Sequence, residues 1–322
     1  MDKNLLNTAK YAFLKTNPDL ANMIYLVVSG SNAYGTSNNN SDLDLRGVAV
    51  EPSRYIYGLD SFEQFEDRAS DTVIYGLKKF VGLLAKANPN VLELLGVNED
   101  CIVFESESGQ HLRENAGLFL SKRVIGSFGN YAIAQLRRLQ NALCHDSYSE
   151  EQQAQHLQHV LASQLDHFRS HYTAFPAGAM NINMDEAKAL TLDIRLQDYP
   201  MKDFVGIAFE LNSIIKTYDK LNNRNNKKDE KALYKHAMHL IRLLITGTDI
   251  LTGKGIITNR RDEHRLLMDI RNGKFTFDDI FVMTDVYQRD FEQAAKTTTL
   301  PDEPNMAAID DFLTSMYRRF GI

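Results

Sequence analysis

The chain has 322 residues, of which 43% are hydrophobic and 24% are charged, the composition of an ordinary globular protein. Its two cysteines, Cys101 and Cys144, exclude a disulfide scaffold and an all-cysteine metal site, and they favour a reducing, cytoplasmic setting. We expect no signal peptide and no membrane span, because no apolar run approaches the ~18 residues that a span requires.

The charges are distributed unevenly along the chain. Residues 41–71 carry eight acidic and three basic side chains, so this segment accounts for most of the net charge of −6. Residues 254–274 carry six basic and three acidic side chains. The negative net charge argues against a protein that coats nucleic acid non-specifically, but the basic segment allows a local patch that binds phosphates.

The first ~100 residues predict a mixed arrangement of strands and helices, because their apolar runs are short and rich in β-branched and aromatic residues. Strands are predicted over residues 23–29, 42–50, 61–66 and 71–75. The first is apolar throughout, as in a buried strand, and the second alternates polar and apolar residues, as in a strand with one polar face. Helices are predicted over residues 1–16, over residues 77–87, and after Asn88, which precedes a proline and is a favoured N-cap residue.

Beyond about residue 100 the pattern becomes helical, with apolar residues three and four positions apart. Helices are predicted over residues 127–143, 150–171, 201–222 and 229–252. The polar run at 222–228 predicts a loop, and two glycines after residue 252 are expected to end the last of these helices before a helical tail. We therefore predict an α+β fold, with a mixed sheet and flanking helices in a domain over residues 1–100. A mainly helical domain that binds substrate or nucleotide follows over residues 101–322.

Two carboxylates suggest a metal site. Asp42 and Asp44 are two positions apart on the second predicted strand, so both should project from the same face, and Arg46 should join them there. Two neighbouring carboxylates repel each other unless a cation neutralises them. Mg²⁺ is the natural partner, because it prefers oxygen ligands.

A glycine-rich turn precedes this pair of carboxylates. The first predicted strand leads into Gly30, Ser31 and Gly35, and such a turn can present backbone N–H groups and a hydroxyl to phosphate oxygens. A phosphate-binding turn beside paired carboxylates is suited to metal-assisted phosphoryl or nucleotidyl transfer. A third carboxylate normally completes such a site. Asp71 is the candidate, and its rivals, which spacing alone does not separate from it, are Glu63, Glu66 and Asp67.

Each of these parts also has an ordinary explanation, since Asp-x-Asp pairs and Gly-Ser turns are common on solvated surfaces. A calcium-binding loop that starts at Asp42 is excluded, because its twelfth position is Ser53 instead of Glu. The chain has no G-x-G-x-x-G motif for a dinucleotide, and Ser31 lacks the G-x-S-x-G setting of a hydrolase nucleophile. The combination of turn and carboxylates at this spacing is what carries the hypothesis.

The segment GSNAYGTSNNNSDLDLRGV, residues 30–48, resembles the nucleotidyltransferase signature of the DNA polymerase beta superfamily. More closely, it is similar to the RlaP/YcgL-type predicted nucleotidyltransferases, which are named for a proposed association with RNA repair. The resemblance continues through DTVIYGLKKFVGLLAKANPNVLELL, SKRVIGSFGNYAIAQLRRLQ and KHAMHLIRLL to TGTDILTGKGI, and so extends to about residue 275. It implies a polymerase-beta-type nucleotidyltransferase domain at the start of the chain.

The same resemblance assigns roles to individual residues. Gly30 and Ser31 would contact the triphosphate, Asp42 and Asp44 would bind metal, and Asp71 would supply the third carboxylate. Within the same motif, we assign Gly35 and Ser41 to the nucleotide site as well.

Basic residues farther along the chain are candidates for phosphate binding. Lys122 and Arg123 precede a predicted helix. Lys231, Lys235, His239 and Arg242 form a stripe on one face of another helix, which lies in the part of the chain that resembles the family. We predict that Lys122, Arg123, His239 and Arg242 bind nucleotide. The alternative is that they lie on solvated helix faces or pair with the acidic region.

We therefore predict a nucleotidyltransferase that moves a nucleoside monophosphate from an NTP to an acceptor hydroxyl and releases pyrophosphate. Two Mg²⁺ ions are the expected cofactors, with Mn²⁺ as the alternative ion. The favoured acceptor is the 3′ end of an RNA, either a tRNA or a damaged RNA, and no membrane partner is expected. Three alternatives remain: nucleotidylation of a protein (AMPylation-like), transfer to a small molecule, and a catalytically silent module that binds nucleotide or RNA.

Overall fold

The structure is a computed structural model, and it describes residues 8–38, 41–147, 179–184, 190–206, 212 and 230–322. The helix predicted over 150–171 and the loop predicted over 222–228 lie outside the described residues. Of the helix predicted over 201–222, residues 201–206 and residue 212 are described, and they are helical.

A five-stranded mixed sheet forms the centre of the N-terminal region. Its strands are β1 (Met23–Val28), β2 (Leu45–Ala49), β3 (Gln64–Asp67), β4 (Thr72–Gly76) and β5 (Ile102–Glu105). They lie in the order β3-β4-β2-β1-β5. β2 and β4 are parallel, and the other neighbouring pairs are antiparallel.

Strand β1 is buried on both faces, as its apolar sequence predicts. Leu26 and Val28 pack with Leu45 in a cluster on one face of the sheet. Tyr25 and Val27 belong to a larger cluster, which contains helices from both ends of the chain. The sheet is therefore covered on both sides, and functional side chains can reach solvent only at its edges and ends.

The helices follow the predicted pattern in most places. They are α1 (Phe13–Thr16), α2 (Gly30–Ala33), α3 (Ser53–Tyr57), α4 (Leu77–Ala85), α5 (Pro89–Leu95), α6 (Glu107–Glu114), α7 (Arg123–Ser147), α8 (Glu230–Leu251), α9 (His264–Arg271), α10 (Phe277–Thr297) and α11 (Met306–Arg318). The predicted cap at the start of α5 is confirmed, because the Asn88 side chain accepts a hydrogen bond from Asn90 N. Within the described ranges, no helix is both long and apolar enough to cross a membrane.

Three predicted elements differ from those observed. The strand predicted over 42–50 begins only at Leu45, because residues 41–44 have no ladder partner. The helix predicted over 1–16 is reduced, within the part that is described, to a short 3₁₀ turn and the four-residue α1. Strand β5 was not predicted, and neither were β6 (Met180–Met184) and β7 (Leu190–Ile194), which pair with each other. The sheet with flanking helices and the mainly helical C-terminal part nevertheless confirm the α+β class.

The chain divides into two compact units. One consists of residues 1–136 together with residues 234–322, and its core joins sheet residues such as Val27 to Leu240 of α8 and Phe312 of α11. The other consists of residues 137–233 and includes the antiparallel β6–β7 pair. The domain boundary proposed at residue 100 stays a prediction.

Candidate functional site

The glycine-rich turn lies directly against the second carboxylate of the Asp-x-Asp pair. After β1 ends, Ser29 N donates a hydrogen bond of 2.8 Å to Asp44 O. Gly30 then has φ +62°, a conformation that disfavours any residue with a side chain. A Cβ at Gly30 would lie 2.1 Å from Asp44 Oδ2. Only glycine fits at this point, so the turn approaches the carboxylate as closely as the backbone allows.

Asp44 and Asp71 lie side by side at one end of the sheet. Each immediately precedes a strand, and the two strands are parallel, with Leu45 opposite Thr72. Leu45 N donates to Asp71 O at 3.1 Å, which joins the two segments just before the ladder begins. The carboxyl groups of Asp44 and Asp71 lie within hydrogen-bonding reach of each other. The proximity predicted for these residues is therefore present in the fold.

This contact shifts the pKa values of the two carboxyl groups in opposite directions. Burial, and then the hydrogen bond and negative charge of Asp71, raise the pKa of Asp44 to about 6. The hydrogen bond from Asp44, together with the Arg46 charge, lowers the pKa of Asp71. Arg46 Nη2 lies 3.0 Å from Asp71 Oδ1, and its Nη1 donates to Asp71 O at 2.6 Å. Asp44 is therefore the first of the two carboxyl groups to take up a proton as pH falls, and Arg46 fixes Asp71 beside it.

Asp42 is not part of this contact. Its residue is exposed, and its backbone oxygen accepts a hydrogen bond of 3.1 Å from Asn32 Nδ2. In the described part of the chain, no group of three or more His, Cys, Asp or Glu residues is arranged to hold a metal ion. Two of the three predicted carboxylates thus come together. The pair at Asp44 and Asp71 fits a hard divalent cation, because such an ion would remove the repulsion between the two charges.

A pocket of about 340 Å³ opens beside the carboxylate pair. Its lining includes Gly30, Tyr34 and Asp44 from the motif region, and Arg46 and Tyr75 from the sheet. Five further lining residues come from farther along the chain: Asn90, Glu93, Leu94, Val97 and Thr258. The pocket therefore brings both a carboxylate and the turn into contact with the same enclosed space.

A buried ionic network lies at the wall of this pocket. The Arg242 guanidinium forms an ion pair with Glu93, and both side chains are almost fully buried, at 4% and 3% exposed. Tyr34 donates its hydroxyl to Glu93 Oε2 at 3.0 Å. The ring of His239 meets the Tyr34 ring edge-on, with centroids 6.0 Å apart. Burial, followed by the charges of Arg242 and Lys235, lowers the pKa of His239 to about 3, so this imidazole is neutral near pH 7.

The nucleotide roles predicted for Arg242 and His239 stay predictions, and the structure adds a constraint to them. Arg242 does not line the pocket, and its charge is already neutralised by Glu93. His239 is a neutral ring packed on Tyr34, so it would bring no positive charge to a phosphate.

Two other basic residues lie near the motif. Arg271 of α9 donates to Thr36 O and, at 3.3 Å, to Ser41 Oγ, so it joins both ends of the segment between the turn and Asp42. None of the residues that the structure describes forms an ion pair with Arg271. Lys235 of α8 is exposed, and its charge acts on Asp44. These residues supply positive charge beside the turn.

The remaining predicted site residues lie in different places. Gly35 has φ +73°, and a Cβ there would lie 3.1 Å from Asn259 Oδ1. Ser31 is half-buried in α2, and no described residue forms a hydrogen bond with its hydroxyl. Lys122 and Arg123 do not line the pocket, and they form ion pairs with Asp302 and Glu303. Their predicted nucleotide role would require these ion pairs to be replaced.

The rivals of Asp71 are directed to other partners. Glu63 pairs with Lys79 at 2.8 Å, and Asp67 accepts hydrogen bonds from Ser70. Glu66 accepts a hydrogen bond from Gln64. Among these acids, Asp71 is the one in contact with Asp44.

The sequence interpretation missed four residues at the site. Glu93, Asn90, Thr258 and Arg271 contribute to the pocket or to its surroundings, and all lie far along the chain from the motif. One signal was available: Glu93 is an acid inside the apolar run at residues 91–95, and such a residue is buried only with a partner. Arg271 lies in the basic segment at residues 254–274, which the sequence indicated only as a possible phosphate-binding patch. Asn90 and Thr258 have no local signal, because the chain brings them to the pocket only through tertiary packing.

Comparison with known protein families gives a match over residues 12–190 to the family described as RlaP, RNA repair pathway DNA polymerase beta family. Comparison with curated proteins and with solved structures gives no match. The matched region covers more than half of the chain and includes the turn, all three aspartates, and Glu93. The chain therefore belongs to the RlaP family, the RNA repair pathway DNA polymerase beta family.

Proposed function

We propose that this protein is a Mg²⁺-dependent nucleotidyltransferase that moves a nucleoside monophosphate from an NTP to the 3′-hydroxyl of an RNA. The observation that carries the proposal is the Asp44–Asp71 carboxyl pair, which lies against the Gly30 turn. Asp44 also lines the pocket of about 340 Å³. Two adjacent carboxylates repel each other and so lower the stability of the folded protein. A bound cation removes this repulsion, so cation binding is the function that fits the pair.

The residues that would hold the metal are Asp44 and Asp71. Asp42, which is exposed and does not contact the pair, would become the third ligand only if its side chain turned toward them. Bound there, Mg²⁺ would supply charge neutralisation at the transferred phosphoryl group and would lower the pKa of the acceptor hydroxyl. Arg46 holds Asp71 in place through its backbone and its carboxylate. Protonation of Asp44 would compete with the metal, so metal binding should weaken as pH falls below about 6.

The triphosphate would lie along the turn. Ser31 offers a hydroxyl there, and the Asp44 carboxylate occupies the space that a Gly30 side chain would fill, so a metal held by Asp44 would lie beside the turn. Lys235 and Arg271 place positive charge on the same side, where it would offset the negative charge of the β- and γ-phosphates. The leaving group is pyrophosphate, and these two cations would also stabilise the charge that develops on it.

RNA is the acceptor that the family description favours. The basic segment at residues 254–274 supports an acceptor with phosphates, since it is the part of the chain with an excess of positive charge. It includes Arg271, which lies beside the turn.

The test is incubation of the protein with each α-³²P-labelled NTP and Mg²⁺, with total RNA and total protein as acceptors. Asp44→Asn is the inactivating variant. Asp60→Asn is the matched control, because Asp60 is an exposed acid of the same segment that does not line the pocket. We expect label in RNA with the wild-type protein and with Asp60→Asn, and none with Asp44→Asn.

Other outcomes would redirect or remove the proposal. Label in protein bands that disappears with Asp44→Asn would show nucleotidylation of protein in place of RNA. Label transfer that persists in Asp44→Asn would show that the carboxyl pair is not the catalytic centre. If no NTP gives transfer to either acceptor, while NTP still binds, the catalytically silent module is the correct interpretation.

A further inference from the structure

Tyr34 is held by two buried partners at once. Its hydroxyl donates to Glu93 Oε2 at 3.0 Å, and the Arg242 guanidinium carbon lies 3.6 Å from the centre of its ring. Arg242 also pairs with Glu93 Oε1, so the carboxylate uses one oxygen for each partner. The ring, the carboxylate and the guanidinium thus form a closed set of three contacts.

Tyr34 also belongs to the glycine-rich turn at residues 30–35, which we call the phosphate turn. It is the C-cap of α2, and its N–H donates to Gly30 O at 3.1 Å. Its own carbonyl oxygen accepts a hydrogen bond of 3.2 Å from Arg260 N. Displacement of Tyr34 would therefore displace Gly30, whose backbone lies against Asp44.

Glu93 is anchored in turn by Thr258, whose hydroxyl donates to Glu93 O at 2.6 Å. Three separate segments of the chain, α5, α8 and the loop after α8, thereby meet at the turn. A buried ion pair contributes little net stability compared with apolar residues of the same size, because desolvation of the two charges opposes their attraction. The Arg242–Glu93 pair is therefore better explained by its positioning of Tyr34 and the turn than by its contribution to stability.

We propose that Tyr34, Glu93 and Arg242 are positioning residues that fix the phosphate turn for NTP binding, with the Tyr34 hydroxyl as the group that transmits the constraint. This inference rests on the proposed function, because it concerns the same nucleotide site. The three residues act through the turn, because the Tyr34 hydroxyl and both Glu93 oxygens are already occupied by one another and by Arg242. No covalent step is assigned to them.

The chain offers a matched pair of tyrosines for the test. Tyr317 of α11 donates its hydroxyl to Glu51 Oε2 at 2.8 Å, and Glu51, like Glu93, is a buried carboxylate, at 3% and 2% exposed respectively. Tyr317 does not line the pocket. Tyr34→Phe and Tyr317→Phe each remove one hydroxyl from one buried carboxylate, and each should lower the melting temperature to a similar extent.

The measurement is the Kd of a non-hydrolysable NTP analogue by calorimetry, together with KM and kcat for label transfer. If the turn binds the phosphates equally well in the ground state and the transition state, a variant that disturbs the turn raises KM and leaves kcat unchanged. We expect Tyr34→Phe to raise Kd and KM about tenfold with kcat within about twofold of wild type, and Tyr317→Phe to change neither Kd nor KM. Thr258→Val, which removes the hydroxyl that anchors Glu93, should raise Kd and KM as Tyr34→Phe does. Thr258→Ser keeps the hydroxyl and should bind the analogue with wild-type affinity.

The inference is overturned if the wild-type protein binds the analogue and Tyr34→Phe binds it equally well, whatever the effect on stability. It is also overturned if Tyr34→Phe lowers kcat at unchanged Kd, since the hydroxyl would then act on the reaction itself. A wild-type protein that binds no NTP analogue would refute the proposed function, and the positioning role along with it. The two failures are therefore distinguished by the wild-type titration alone.

Discussion

The carboxyl groups of Asp44 and Asp71 lie within hydrogen-bonding reach of each other because each residue precedes one of two parallel strands, in which Leu45 lies opposite Thr72. The contact is a consequence of strand register. Arg46, one residue into β2, then binds both the backbone and the carboxylate of Asp71. A carboxyl pair is thus fixed at one end of the sheet, next to a turn that only glycine can form.

Replacement of Asp44 by asparagine should stabilise the metal-free protein at neutral pH. The pKa of Asp44 is raised to about 6, so the folded state binds the proton more tightly than the unfolded state does. The resulting penalty is present in full above pH 6, and it disappears as pH falls toward the ordinary carboxyl value of about 4. By urea denaturation, we expect the free energy of unfolding of Asp44→Asn to exceed that of the wild type by about 1 kcal/mol at pH 8, after allowance for solvent screening. At pH 4 we expect no difference.

The same variant should abolish stabilisation by metal. Wild-type protein should gain several degrees in melting temperature with millimolar Mg²⁺, because a ligand that binds only the folded state stabilises it. Asp44→Asn should show no gain, and Asp60→Asn should behave as wild type. Equal gains in all three proteins would place the metal elsewhere.

His239 should make the protein sensitive to acid. Its pKa in the folded protein is lowered to about 3, so between that value and about 6.5 the unfolded state binds the extra proton. The stability that this residue contributes is complete above pH 6.5 and is lost as pH falls. Between pH 7 and pH 5 the free energy of unfolding of the wild-type protein should fall, and His239→Gln should make this fall smaller by about 1–2 kcal/mol. His264 of α9 is exposed, and His264→Gln should leave the fall unchanged. Identical pH profiles for His239→Gln and wild type would contradict this assignment.

Arg271 should contribute charge to triphosphate binding. Arg271→Gln keeps hydrogen-bond donors for Thr36 O and Ser41 Oγ but removes the positive charge. We expect about a tenfold loss of affinity for an NTP analogue and a smaller loss for the corresponding monophosphate, by calorimetry. Arg265→Gln, at an exposed position of the same helix, is the control and should bind both ligands as wild type does. An equal loss for both ligands would show that Arg271 does not contact the outer phosphates.

Gly30 should tolerate no side chain. In Gly30→Ala the new Cβ would lie 2.1 Å from Asp44 Oδ2, at a φ of +62°. We expect a loss of 2 kcal/mol or more in the free energy of unfolding, which is roughly the sum of backbone strain and steric displacement. Gly82→Ala is the control, because a Cβ at this exposed helical position meets no atom within 4 Å and should be neutral or stabilising. Comparable losses in the two variants would show that the turn is not tightly packed.

Much of the site could be predicted from sequence because its parts are local. The glycine turn and the two aspartates lie within one short segment, and the buried strand before them is recognisable from its apolar run. Asp71 was predicted from its place at the start of a strand, and the parallel pairing of β2 with β4 brings it to Asp44. The prediction was wrong in extending β2 back to Asp42, because the polar and apolar alternation continues into residues 42–44, which have no ladder partner.

The remainder of the site depends on contacts between distant segments. Arg242 and Glu93 form a buried pair although α5 and α8 lie far apart in the chain, and helical periodicity shows only that each residue is on some face of its helix. For the same reason the basic stripe on α8 suggested phosphate ligands, whereas the structure places Arg242 in an ion pair and His239 against an aromatic ring. A charged side chain is buried only where it has a partner, and the spacing of residues along one helix does not identify a partner on another helix.

The most direct test of nucleotidyl transfer compares two labels on the same NTP. With Mg²⁺ and RNA, the account predicts that label from the α-phosphate remains on the RNA and that label from the γ-phosphate is released as pyrophosphate. Both results should disappear in Asp44→Asn and persist in Asp60→Asn. Label from the γ-phosphate on the RNA, with none from the α-phosphate, would show phosphoryl transfer and contradict the account.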